Sequence, residues 1–535
     1  MQLPDADVVI IGSGAAGVSA AVPLVEAGCR VVMIDAGIEP DQTPPVERFY
    51  DIRVRDSEQW KLFVGEQFQA LHPDAPASPK FRAPTNTFAY AGYQQAYAIH
   101  TTNFAVVGSL AAGGLSNIWG AGVSCYTPGE LREFPITRSD LEPSYRAIAA
   151  RIGISGSSTD DLATFFGDDI PLQPPTSLSD NAARLWRRYR AHPATARRYG
   201  VVIGRARNAV LTEDLGERQR CRNTNTCLWG CARRAIYTAA YDLAWLRQHD
   251  NFHYHGRLIV ESLRPRQNKY LLRIRPVEGR ATFEHRVSIV VLASGAIGSA
   301  KLVLDALGIV DRDIPFVSSP VMGFAVWLPE RLGAAVAQEA FGLSQLSYIA
   351  QGGEDGAVAF GNVFGTDGVL TSELMRHAPL SRPTAVRLMR LLSPSLLLGN
   401  CFLPGQFSRH RLSSRSDGTL HIQGGYRETL PAFVADIKRR LRRMFLRYGM
   451  MVLPNSFHLT TPGEDVHYAA TLPMRRAPEA HQTKPTGEVA GLAGVYVVDG
   501  AALSALPAKS HTFTIMANAD RIARGIAVRW QSARI

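Results

Sequence analysis

His467 and His511 are the side chains of this sequence best suited by type to move protons. The first stands in His467-Tyr468-Ala469-Ala470-Thr471, and the second in Ser510-His511-Thr512-Phe513-Thr514, 44 residues further on. A neutral imidazole titrates near working pH, so one ring can take a hydroxyl proton while another hydrogen-bonds the oxygen left behind. The competing reading is a pair of packed core histidines. His72, His192, His249 and His253 sit on polar or loop stretches and receive no role.

Three of the six cysteines cluster, as Cys221, Cys227 and Cys231. The C-x5-C-x3-C spacing lacks the paired C-x2-C of common zinc sites, and no histidine lies between the thiols. In a reducing compartment the first reading is structural thiols, with a disulfide and a metal behind it, so no metal site is expected.

These side chains need a frame, and the N-terminus supplies its first piece. Val8-Val9-Ile10-Ile11 reads as a buried strand running into Gly12-Ser13-Gly14-Ala15-Ala16-Gly17 and a helix. Gly12 allows the tight turn, Gly14 lets backbone approach a pyrophosphate, and Gly17 lets the helix pack on the sheet. The helix N-terminus offers free N–H groups to phosphate. A second strand, Arg30 to Ile34, ends at Asp35 and Ala36, and Asp35 lies 18 residues after Gly17, where a carboxylate can bind ribose hydroxyls. That acid would repel a 2′-phosphate, which argues against NADP. Gly113-Gly114-Leu115-Ser116-Asn117-Ile118-Trp119 can lie flat along an extended cofactor. Two later apolar strands end in small residues, one running to Ala293-Ser294-Gly295, the other to Asp499-Gly500-Ala501. Three such turns spread along the chain favour FAD over NAD.

Together these residues resemble the glucose–methanol–choline oxidoreductase family, most densely at 7–37, 106–124, 221–305 and 463–528. The glycine loop is similar to the family's G-G-x-S segment, and 497–523 to its C-terminal signature. The resemblance implies that His467 is the catalytic histidine, within a pattern whose usual glycine is Ala470, and that His511 fills the position that is His or Asn in relatives. It also implies contact of Val260 with adenine and a cofactor role for Thr512 and Phe513. Cys227 to Ala235 resembles a structural loop near the site. The glycine loop is similar to that of pyranose oxidases. Relatives that bond flavin covalently carry a histidine there; this chain has Asn117-Ile118, and His100 lies well upstream, so noncovalent FAD is expected.

The implied fold is α/β: a two-domain flavoprotein with a discontinuous Rossmann-like FAD domain and a strand-rich α+β substrate domain. The expected division is 1–310 for the FAD domain with irregular cover at 41–100 and 155–200, then 311–460 for the substrate domain. Residues 461–535 return to the FAD domain with the histidines. The chain's 535 residues suffice for this, and 46% hydrophobic with 20% charged content fits a globular protein. Helices are expected at 181–199, 238–248, 293–307 and 430–450, and strands at 322–328, 346–350, 357–364 and 420–422. The segment 385–392, with Arg387 and Arg390 among apolar residues, reads as a core or lid helix ahead of a membrane-surface helix.

A first strand starting by residue 7 argues against a signal peptide, and no run of 18 apolar residues is present, so a cytoplasmic location without a membrane span is expected. The net charge of +11 admits an anionic substrate or a weak membrane surface, though arginine from a GC-rich genome is the first reading of it, and no nucleic-acid partner is expected. The implied chemistry is oxidation of a CH–OH group to a carbonyl by hydride transfer to flavin N5, with His467 as base and His511 on the oxygen. Oxygen, a quinone or a carrier accepts the electrons. The loop, with Gln345, Gln351, Asn362 and Gln406, favours a sugar, glycoside or sugar-derived substrate. An apolar or aromatic alcohol or sterol under 386–398 is the alternative, and a noncatalytic flavin-binding scaffold is the reading from another class.

Overall fold

The computed structural model describes residues 3–72, 78–167, 169–267, 269–353, 356–370, 374 and 380–534, with Arg382 described by its backbone. Val8–Ile11, Val31–Ile34 and Val290–Leu292 are uninterrupted apolar runs, buried at every position. Such runs form strands covered on both faces, the setting of a parallel sheet. They make the centre of a five-stranded sheet, with Val495–Val497 at one edge and Phe252–His255 at the other, and every pairing is parallel. Helix Ala15–Glu26 leaves the first strand and packs against helix Thr512–Ser532, with Ala16, Val18 and Ala20 sharing a core with Ala519, Ile522 and Ile526.

A second body is built on antiparallel strands. Met451–Val452, Val321–Trp327, Leu396–Phe402, Ala357–Gly365, Leu346–Gly352 and Val201–Arg205 follow one another, and His458–Leu459 pairs alongside Val321–Trp327. Burial alternates along Val321–Trp327, so Met322, Phe324 and Val326 face inward. Helix Leu430–Arg447 covers that face, burying Phe433, Val434, Ile437, Leu441, Met444 and Phe445 at helical spacing. The opposite face carries Leu398, Asn400 and Phe402. A four-stranded sheet, Ile314–Phe316, His410–Ser414, Leu420–Gln423 and Ile99–Thr102, and a three-stranded one, Leu258–Arg266, Lys269–Pro276 and Phe283–Val287, complete the frame.

The helix expected over 181–199 is two helices, Asp180–Ala191 and Pro193–Arg197. Pro193 cannot continue a helix and pushes the residue before it out of the helical region; His192 has φ −140° and ψ 60°. The 41–100 segment, expected to be irregular, carries short helices at Phe49–Arg55, Gln59–Val64 and Tyr93–Ala96. Its aromatic core stacks Phe49 on Trp229 with ring centroids 5.4 Å apart. The apolar stretch 386–398 divides between helix Arg382–Leu392 and the internal strand Leu396–Phe402. Val201–Arg205, within the span assigned to the FAD domain, pairs with Leu346–Gly352 of the seven-stranded sheet. Among the described residues no helix is long and apolar enough to cross a membrane.

Candidate active site

Gly12 adopts φ +103°, and a Cβ there would lie 2.5 Å from the Ala293 carbonyl oxygen, so only glycine fits between the two strand ends. A Cβ at Gly17 would sit 2.0 Å from the Gly12 oxygen. Gly14 is different. A Cβ there meets nothing nearer than 4.0 Å, the Gly114 Cα across from it. Gly14 caps helix Ala15–Glu26 with no side-chain bond to its first N–H groups. A backbone cradle with open space and unclaimed donors remains, the geometry a pyrophosphate needs.

Ser13 ties the cradle together. Its hydroxyl donates to Asp35 Oδ2 at 2.5 Å and accepts from the Gly113 N–H at 2.9 Å. Tyr254 donates to the same carboxylate oxygen at 3.2 Å, and the Ser13 and Ala36 backbone N–H groups also bond the carboxylate. Burial pushes the Asp35 carboxyl up to about 6, against these bonds. Backbone from Asp35 and Ala36 accepts from Leu258 and Arg257, which leads the strand of Val260 past the acid. In the glycine loop, Asn117 donates to the Ala112 and Gly114 carbonyls, Ser116 to Gly113, and the Trp119 indole to the Tyr237 carbonyl. Those side chains shape the loop and turn its backbone outward. Gly295 has φ +80° with open space at its Cβ position. Asp499 accepts from Ser299 and the Ala501 N–H, fixing the Gly500 turn. Ala15 and Ala16 form the first helical turn. Thr512 opens the last helix, and Phe513 is buried against Tyr145 with centroids 5.0 Å apart, as a packing residue.

The two histidines meet. The rings of His467 and His511 stand edge to face, centroids 4.7 Å apart and planes at 76°. Among the described residues neither Nδ1 atom has a hydrogen-bond partner. Desolvation lowers His467 to about 4, and desolvation together with the His467 ring holds His511 well below its ordinary range. Both are therefore neutral at pH 7. The loop before His511 is anchored by Lys509, fully buried, which donates to Glu130 at 2.8 Å and to the Cys125 carbonyl at 3.0 Å. A Cβ on Gly122, at the end of the glycine-rich stretch, would lie 2.9 Å from the Ser510 hydroxyl, so that stretch abuts the histidine loop. Ala470 has φ +63°, the backbone that the missing glycine would adopt freely.

Phe402 packs on His467 at 4.9 Å, which puts the face of the seven-stranded sheet opposite helix Leu430–Arg447 over the histidines. That face holds a polar ladder absent from the sequence reading. Ser347 donates to Asn362 Oδ1 at 2.8 Å, and the Asn362 backbone and side-chain N–H groups donate to Asn400 Oδ1 at 2.9 and 3.2 Å. Those bonds fix the orientation of the Asn400 amide and leave its NH2 with no protein partner among the described residues. Gly323 and Gly204 flank the ladder; Gly323 leaves open space, while Asp160 and Leu162 close over Gly204. Beside it Phe402, Phe360 and Phe165 form an aromatic wall. Of the four polar residues expected near substrate, only Asn362 lies there. Gln345 is buried, accepting from the Ser179 N–H and donating to the Phe341 carbonyl, while Gln351 and Gln406 are exposed.

Cys221, Cys227 and Cys231 gather around one small pocket as free thiols, with burial pushing Cys227 up to about 12. His100 pairs with His421 on the four-stranded sheet, away from the glycine loop.

No family model matches the chain. The fructose dehydrogenase large subunit of Gluconobacter japonicus is 23% identical over 246 residues, 44% of this chain and 42% of that protein, so the match spans less than half of either. Among solved structures, formate oxidase superimposes with a TM-score of 0.66 at 12% identity, covering 99% of this chain and all of that one. Pyridoxine 4-oxidase from Mesorbium loti gives 0.58 at 16%, covering 97% and 99%. A FAD-dependent oxidoreductase from Chaetomium thermophilum gives 0.58 at 13%, covering 98% and 100%. The chain has the α/β fold of these proteins over essentially its whole length.

Proposed function

We propose that this chain is a FAD-dependent oxidoreductase that converts a CH–OH group to a carbonyl, with His467 as general base. The observation that carries the reading is the pair of neutral, edge-to-face imidazoles buried beneath a polar sheet face, in a fold whose first turn is an open phosphate cradle. FAD fits that cradle: Gly14 and Gly114 leave the space, the helix end leaves the donors, and Asp35 would present its carboxylate to the ribose. FAD, when bound, supplies the acceptor for the hydride leaving the carbinol carbon. The chain's own residues manage the proton. His467 takes it from the hydroxyl through a free ring nitrogen. His511 hydrogen-bonds the same oxygen as negative charge builds on it. Asn117, engaged inside the glycine loop, offers no attachment point, in keeping with noncovalent FAD.

The Asn400 amide and its ladder favour a substrate with further hydroxyls: a sugar, glycoside or sugar-derived product. The wall of Phe402 and Phe360 supports a second reading, an aromatic alcohol. A hydroxylated ring satisfies both. Oxygen, a quinone or a carrier is the electron acceptor.

The test is anaerobic mixing of the yellow protein with a panel of sugars and aromatic alcohols, following flavin bleaching. His467→Ala keeps its colour but reduces its flavin roughly 10²–10⁴-fold more slowly, the usual contribution of a general base. His511→Asn is milder, because the amide still donates. An unchanged rate in His467→Ala places the base elsewhere.

A further inference from the structure

The loop that presents His467 is held by buried groups that the proposed chemistry does not consume. Asp465 Oδ1 accepts from the His467 backbone N–H at 2.8 Å, and Oδ2 accepts from the Ser318 hydroxyl at 2.8 Å. Ser318 Oγ lies 2.9 Å from His410 Nε2, and the Gly425 N–H donates to His410 Nδ1 at 3.2 Å. Ser318 and His410 are buried to within 1% of complete, and Asp465 is buried as well. Phe104 and Phe316 pack on His410 at 5.1 and 5.2 Å and close the cluster to water.

Each bond in this chain has one possible direction. A backbone N–H only donates, so His410 Nδ1 carries a lone pair and its proton is on Nε2. That proton goes to Ser318, whose own proton goes to Asp465, whose second oxygen takes the His467 N–H. The carboxylate ends the chain as acceptor only. Between Asp465 and His467 stands Val466 at φ +60°, a region a β-branched residue rarely enters. The bond from His467 back to Asp465 closes the turn around that residue. The three members also come from separate pieces of the frame. His410 begins a strand of the four-stranded sheet, Ser318 lies in the connector from Ile314–Phe316 to Val321–Trp327, and Asp465 is on the histidine loop. Backbone pairing of Val317 with Ala469, at 3.0 and 2.9 Å, aligns connector and loop.

We propose that Asp465, Ser318 and His410 are positioning residues that set where the His467 ring stands, by registering its strained turn to both sheets through one directed hydrogen-bond chain. The value of that position to catalysis rests on the function proposed above; the chain itself does not.

Direction makes the network brittle. Asn at 465 must aim its NH2 either at Ser318, which orphans the serine proton, or at the His467 N–H, which sets donor against donor. The experiment is NMR of the full-length protein with 15N-labelled histidines, His410 and His467 assigned by the signals missing from His410→Gln and His467→Ala. At pH 7 His410 is expected neutral with its proton on Nε2. Ser318→Ala is expected to keep that tautomer, which the Gly425 N–H holds, but to shift the His410 Nε2 signal and the His467 ring signals, and Asp465→Asn to shift the latter further while the melting temperature still reports a folded protein. A His410 proton on Nδ1, a charged His410, or His467 signals unmoved in Ser318→Ala overturns the proposal, whether or not Asp465→Asn folds. If the tautomer and shifts are as expected but His467→Ala reduces its flavin at full rate, the network stands and the base assignment fails.

Discussion

Single atoms separate stability from cofactor binding in the glycine turn. A Cβ at Gly14 comes no nearer than 4.0 Å to another protein atom, so Gly14→Val should fold and melt near wild type yet purify colourless. Gly17→Val drives a Cβ into the Gly12 carbonyl and should lose stability whether or not FAD is present. Absorbance at the flavin band, read beside a melting curve, distinguishes them; a yellow Gly14→Val would place the phosphates elsewhere. Ala470 carries left-handed backbone strain of about 1–2 kcal/mol that glycine would relieve, less about 0.5–1 kcal/mol of added chain entropy, so Ala470→Gly should stabilise by up to about 1 kcal/mol in urea unfolding. The depressed pKa of His467 also fixes a sign. A base must be neutral, and a ring titrating at about 4 stays neutral far below the ordinary histidine range. The flavin-reduction rate should be flat from pH 8 to about pH 5 and fall below that, where an unperturbed ring would lose half its activity near about pH 6.5.

Strand Leu396–Phe402 shows how one element divides its labour. Leu397 and Cys401 face helix Leu430–Arg447 and are fully buried, while Asn400 and Phe402 lie on the opposite face, toward His467. Leu397→Ala should cost about 2–5 kcal/mol in chemical denaturation, the usual loss for a core leucine. Asn400→Asp keeps the oxygen that Asn362 requires and replaces the free donor with an acceptor. It should leave stability near wild type and raise KM for a hydroxylated substrate roughly 5–100-fold, the value of one lost buried hydrogen bond. An unchanged KM would remove the ladder from substrate recognition. This strand was not legible in the sequence. Leu396-Leu397-Leu398 continues an apolar stretch from 386, and in so short a run the helical and strand periods do not separate. Helix Leu430–Arg447 was legible because its apolar residues repeat at helical spacing between arginines over five turns. Likewise the nucleotide turn could be read because glycine, strand and acid are local signals, and the histidines because their surrounding motif is local. Ser318, His410 and Asp465 could not, being 92 and 147 residues apart with no shared pattern. Only the fold brings them together.

At the scale of the molecule, buried acids and buried histidines pull against each other with pH. Asp35, Asp465 and Asp499 are each raised to about 6 by burial, so the folded state holds protons that the unfolded chain releases, and stability falls as pH rises from about 4 to about 6. His410 and His467 are lowered to about 4, and His511 further, so the unfolded chain takes protons that the folded state refuses, and stability falls as pH drops through the same window. The two groups nearly cancel. Unfolding free energy should therefore change little between about pH 4.5 and 6.5, and in His467→Gln/His511→Asn it should shift toward rising as pH falls across that range, because two of the opposing histidines are gone while His410 remains. A steep fall in the double variant would contradict the burial of the acids. The packing of helix Thr512–Ser532 on helix Ala15–Glu26 has a consequence for synthesis. The nucleotide unit is made long before the helix that covers it, and its apolar face stays bare until Thr512–Ser532 has been translated. The nascent protein must carry an unfinished cradle through translation, which marks the first 35 residues as the stretch a chaperone has most reason to shelter.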